Sequence, residues 1–119
     1  KATIELPQLK SYTVQAALAG IHALRENPQQ ARKQILQKYA SLRGFPLPET
    51  SIEEASSMRV EIGPDTLTLN TPYQGDESKL EVIARNGSLG ARVVIAPSGV
   101  TETKIFDDRT SKLLGNKPS

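Results

Sequence analysis

The chain has one histidine, His22, and acid-base or metal chemistry there needs a carboxylate or imidazole one helical turn away. Positions 18, 19, 25 and 26 are within reach, and only Glu26 qualifies. One imidazole with one carboxylate falls short of a metal site. Three acidic pairs, Glu53-Glu54, Asp76-Glu77 and Asp107-Asp108, offer hard oxygen ligands, but none has the alternating Asp/Asn spacing and glycine of a calcium loop. Gly87-Ser88-Leu89-Gly90 contains two glycines and a serine. Phosphate-binding loops and nucleophile elbows both need a strand entering a helix, whereas this segment lies between two strand patterns. Asn86-Gly87-Ser88 fits the N-glycosylation pattern, which matters only in a secreted eukaryotic protein. No catalytic, cofactor-binding or metal-binding set emerges, so the expectation is a non-enzymatic protein without a cofactor.

The remaining candidates bind rather than react. Arg32, Lys33, Lys38 and Arg43 fall in a stretch with no acid between Glu26 and Glu49, interleaved with Gln29, Gln30, Gln34 and Gln37. Arginine and glutamine read base edges and cations contact phosphates, which makes these four the candidate nucleic-acid contacts. A solvated helix face has the same composition, and cations near a helix C-terminus suit its dipole. Tyr73 in a polar loop and Phe45 between Gly44 and Pro46 are the candidate partner contacts, because an aromatic ring gives large contact area at low entropy cost. Either ring can equally be tucked against the core.

These residues must be positioned by elements that the hydropathy pattern marks out. Val14, Ala17, Leu18, Ile21 and Leu24 recur at steps of three and four, predicting a helix over about 13–26. Ser11 or Thr13 can cap its start, and Asn27-Pro28 ends it, since proline disfavours helical geometry in the residue before it. The same pair opens a second helix over about 28–43, with Asn27 as N-cap, Pro28 in the first position and Gln30 three past the cap. Ala31, Ile35, Tyr39 and Leu42 give its buried stripe. Gly44 is a left-handed C-terminal cap, and Pro46 and Pro48 forbid continuation.

Past Ser51 and Glu54, which can cap one short turn, the period falls to two. Met58, Val60 and Ile62 alternate with Arg59 and Glu61, Gly63-Pro64-Asp65 turns the chain, and Leu67 and Leu69 alternate with Thr66, Thr68 and Asn70. This predicts strands over about 58–62 and 66–70, with Ile62 opposite Leu67 and Val60 opposite Leu69. Asn86-Gly87 is a strong hairpin signal joining strands over about 79–85 and 88–96; it pairs Ala84 with Leu89, Val82 with Ala91, and Glu81 with Arg92. Pro97-Ser98-Gly99 leads into a fifth strand of mixed alternation over about 100–106, and the polar loop Thr71 to Ser78 joins the two hairpins. Residues 109–119 hold only Leu113 and Leu114 as anchors and read as a flexible C-terminal tail. Helices first and hairpins second make a single α+β domain over 1–108, two N-terminal helices packed on an antiparallel β-meander of four to five strands.

Composition agrees with one domain and narrows its class. A chain of 119 residues buries roughly two-thirds of its unfolded surface, enough for a core without staples. The absence of cysteine excludes disulfides, a thiol nucleophile, an iron-sulfur cluster and a cysteine zinc site, and suits either a reducing or an oxidising compartment. The net charge of +2 is unevenly spread. Residues 1–49 hold seven basic side chains against three acidic ones, so the helical half is basic and the strand half slightly acidic. No apolar run approaches the roughly 18 to 20 residues of a membrane span, and membrane attachment would need a segment outside this sequence.

Ile4-Glu5-Leu6, in a chain that starts at Lys1 and passes from helix to antiparallel meander, resembles the soluble portion of type IV pilins and of small pilin-like bacterial proteins held by one N-terminal span. A start without Met leads us to expect a chain processed or cut from something longer. The sequence departs from pilins at Pro7, Gln8, Lys10 and Ser11, where they carry apolar helix, at Asn27-Pro28, and in lacking paired cysteines. The resemblance covers element order and implies a tethered or secreted protein of the bacterial periplasm or cell surface, partnered by a protein or by further copies of itself. The expected function is a non-enzymatic interaction or assembly domain. Nucleic-acid binding through Arg32, Lys33, Lys38 and Arg43 is the alternative.

Overall fold

Helix α1 spans Leu6–Ala23 in the computed structural model, which describes residues 4–48 and 56–108. It starts well before the expected position 13. Pro7 occupies its first turn, where a missing N–H removes no helical bond, and Gln8 Oε1 accepts the Glu5 N–H at 3.4 Å. Thr13, expected as a cap, is instead buried inside the helix with its hydroxyl donating to Leu9 O at 2.7 Å. The buried face is Leu9, Thr13, Ala16, Ala17, Gly20 and Ile21, while Leu18, expected in the stripe, is exposed. Helix α2, Pro28–Arg43, follows its sequence signals to the residue: Asn27 Oδ1 accepts the Gln30 N–H at 2.8 Å and Gly44 closes it at φ 77°. The two helices meet at Gly20, where a Cβ would stand 2.4 Å from Ile35 Cγ1.

Five strands follow: β1 Ser57–Ile62, β2 Asp65–Asn70, β3 Leu80–Asn86, β4 Leu89–Ala96 and β5 Gly99–Asp107. They form one antiparallel sheet in chain order, the expected meander, with β1 and β5 at its edges. Both hairpins form with a register two residues away from the expected one, the first shifted toward the N-terminus and the second toward the C-terminus. Val60 faces Leu67 and Met58 faces Leu69, while Val82 faces Val93 and Ala84 faces Ala91. The reason is the turn: Gly63 and Gly87, each at φ 58°, take the first position of two-residue loops, Gly63-Pro64 and Gly87-Ser88. A two-residue shift preserves side-chain parity, so the apolar set still lands on one face.

That face carries Val60, Ile62, Leu67, Leu69, Leu80, Val82, Ala84, Ala91, Val93 and Ile95, all buried beneath the helices. Helix α1 lies across β3, β4 and β5, and α2 packs on α1 and reaches β2 through side chains. The other sheet face mixes polar residues such as Arg59, Glu61, Thr66 and Thr68 with Ile83 and the buried Val94. The short turn expected near Ser51 and the tail over 109–119 lie outside the described residues.

Candidate functional site

Arg43 leaves the expected solvent face and enters the interior. Its Nε donates to Asp65 Oδ2 at 2.6 Å and its Nη2 to Asp65 Oδ1 at 3.1 Å. Tyr39 OH donates to Oδ2 at 2.7 Å and Asn86 Nδ2 to Oδ1 at 2.6 Å, so four donors from α2 and β3 surround one fully buried carboxylate at the start of β2. Such pairs are costly to desolvate and costlier to break, so the cluster is structural. Arg32 is also buried, its Nη2 donating to Thr71 O at 3.0 Å. Of the four candidate nucleic-acid contacts, Lys33 and Lys38 stay exposed on α2, and Arg32 and Arg43 hold α2 to the sheet and its loop.

The cluster carries a pH signature. Burial first, and the Asp65 hydrogen bond second, push the Tyr39 hydroxyl above its ordinary 10.0. The folded chain therefore keeps a proton that the unfolded chain releases, and the associated stability is present below that ordinary value and lost as pH rises past it. Urea unfolding from about pH 9 to about pH 11 is expected to show wild-type stability falling more steeply than that of Tyr39→Phe. Parallel slopes would mean that the hydroxyl reaches solvent.

The two candidate partner aromatics are half-buried and held in place. Phe45 packs against the core beside Gly63, with the Arg43 guanidinium 5.2 Å from its ring centroid. Tyr73 lies under Arg92, 5.6 Å from ring centroid to guanidinium carbon, and its hydroxyl accepts from Arg92 Nη2 at 2.6 Å. Arg92 also donates to Glu102 and to Glu81, and these hydrogen bonds, that to Glu102 foremost, raise its pKa above the ordinary value and keep it charged. The expected Glu81–Arg92 ion pair thus forms, diagonally rather than directly opposite, since Glu81 faces Val94 and Arg92 faces Ile83. On the same open face Phe106 crosses Gly90, where a Cβ would meet its ring at 2.2 Å, and Arg85 stacks on that ring while pairing with Asp108. The two glycines of Gly87-Ser88-Leu89-Gly90 are accounted for by a turn and by this ring.

No reactive set assembles among the described residues. The exposed His22 borders a cleft of about 240 Å³ with Arg25, Glu77 and Pro97, and no group of three His, Cys, Asp or Glu side chains is placed to hold a metal. Asp76 closes its own loop, accepting from the Ser78 hydroxyl and N–H, which hold its carboxyl below the usual carboxylate range. A cleft of about 530 Å³ is lined by Asn27, Pro28, Gln29 and Arg32 on one side and Ser56, Thr71 and Pro72 on the other, with the Arg32–Thr71 hydrogen bond joining the two. Glu53-Glu54 lies outside the described residues. No described helix is long and apolar enough to cross a membrane.

The surface that stands out was not among the sequence candidates. Along β5 every residue from Val100 to Ile105 is exposed, on both alternations, although α1 packs against part of this strand. Val100 is 42% and Ile105 44% accessible, two of four large apolar side chains exposed among the described residues; α1, which packs against β5, carries a third, Leu18. A bulge at Val94/Ile95 takes up Thr101. Beyond it the ladder is regular to Asp107, and Asp108 N–H donates inward to Ser88 O. Alternation of an antiparallel ladder then turns the backbone N–H and C=O of Thr103 and Ile105 toward the outer edge.

No family model, curated protein or solved structure matches the chain.

Proposed function

We propose that this chain is a non-enzymatic interaction domain that receives a protein partner along the outer edge of β5. The observation that carries the reading is the six-residue run Val100 to Ile105, exposed on both faces and at the rim of a sheet whose other strands are buried on one side. An added strand would gain main-chain hydrogen bonds from that rim and cover Ile105. The element order shared with pilin-like soluble portions fits an assembly role of the same kind. Nucleic-acid binding draws less support, because Arg32 and Arg43 are committed to Thr71 O and Asp65, leaving Lys33 and Lys38 as its carriers.

The test places a photoreactive residue at Thr103, and separately at the exposed Gln37 on α2 as a control, in cells producing the protein. A cross-linked adduct confined to Thr103 is the expected result. No adduct there, or equal labelling from Gln37, overturns the reading.

A further inference from the structure

We infer that the strand received at this edge is β5 of a second copy, paired antiparallel across a two-fold axis at Thr103. The inference rests on the edge reading above and adds the identity of the occupant. Its argument is charge register. Thr103 turns N–H and C=O outward, so two copies meeting there exchange a pair of main-chain hydrogen bonds. Centring on Thr103 sets Glu102 of each copy opposite Lys104 of the other, on the open face of the sheet. Both charge pairs are attractive, and the match arises twice because the two charges flank the axis.

The neighbouring registers are penalised. An axis at Glu102 or at Lys104 puts like charges directly opposite each other. An axis at Ile105 sets Glu102 against Asp108 and leaves Lys104 against Phe106. Lysine on an edge strand ordinarily blunts pairing, as does a bulge. Here Lys104 stands two residues from Glu102 and the bulge lies at Thr101, outside the regular stretch, so both devices leave one self-complementary register open. The product is a continuous sheet through two copies of β5, a closed two-fold contact rather than an open chain of molecules.

Sedimentation and light scattering of the purified chain over a concentration series are expected to show a monomer–dimer equilibrium. Lys104→Glu alone and Glu102→Lys alone each replace attraction by repulsion at both pairs and are expected to weaken the dimer by roughly tenfold or more. Mixed one to one, these two variants regain complementary charges at both pairs, so a heterodimer of wild-type affinity is expected. Thr103→Pro removes the outward N–H while sparing the ladder to β4, and is expected to abolish the dimer with circular dichroism and melting near wild type. A wild-type chain that stays monomeric, a dimer indifferent to charge reversal, or an open-ended polymer would each overturn the inference. If a monomeric chain still gives a Thr103 adduct carrying a foreign protein, the edge reading stands and self-pairing falls; with no adduct, both fall.

Discussion

Asp65→Asn is expected to destabilise the fold by about 3–5 kcal/mol, seen in urea unfolding at neutral pH as a lower midpoint with unchanged slope. Asparagine has nearly the shape of aspartate but presents a donor amide where a carboxylate oxygen now accepts. The Arg43 guanidinium, buried with a bidentate grip on Asp65, loses its counter-charge, and Tyr39 and Asn86 compete for what acceptor capacity remains. The melting temperature is expected to fall by roughly 10–20 °C. Removing both charges together is expected to hurt less: Asp65→Leu with Arg43→Met and Tyr39→Phe leaves no orphaned charge, only the Asn86 amide without its Asp65 acceptor, and should recover a large part of the loss. A loss below about 1 kcal/mol for Asp65→Asn would show that water reaches the cluster and that the ion pair is of surface strength.

Gly20→Val carries the second large effect, about 2–3 kcal/mol, from steric causes alone. The first added carbon would stand 2.4 Å from Ile35 Cγ1 and 2.6 Å from its Cδ1. Ile35 is fully buried, so its side chain has nowhere to swing, and α1 must move away from α2 instead. Gly20→Ala is expected to cost less, because leaving glycine gains about 1 kcal/mol of helix propensity against the same contact. Pairing Gly20→Val with Ile35→Ala opens the space, and the double variant should be more stable than the sum of the singles implies. Additive losses in thermal melts would mean that the helices do not touch at this point.

What was legible in the sequence was whatever is written locally. Helix α2 was readable to the residue because Asn27-Pro28 and Gly44 act on their own backbone neighbours. The start of α1 is hidden because Pro7, Gln8, Lys10 and Ser11, all exposed, separate Leu6 and Leu9 from the apolar run that begins at Val14. The hairpin registers differ by two from those the side-chain pattern predicts because the positive φ belongs to Gly63 and Gly87 as first loop residues, which the alternation of the flanking strands does not reveal. Asp65 could have been found: it shares parity with Leu67 and Leu69, which places its carboxylate on the inward face. Arg43 likewise follows Tyr39 by one turn, on the buried stripe. The exposed edge at β5 was not readable from local pattern. Which strand ends a sheet depends on the order of all of them, and how much of that strand a helix covers depends on where α1 crosses.

The chain-order meander also bears on how the fold is reached. Every strand pairs with its neighbour in sequence, so each hairpin closes a short loop and can form without waiting for distant chain. Asp65 is the opposite case, bound to Tyr39 and Arg43 at separations of 26 and 22 residues, across the boundary between the helical and strand halves. Those bonds exist only once α2 has docked on a formed sheet. The carboxylate therefore latches the helical half onto the strand half, across a boundary that no hairpin closure spans.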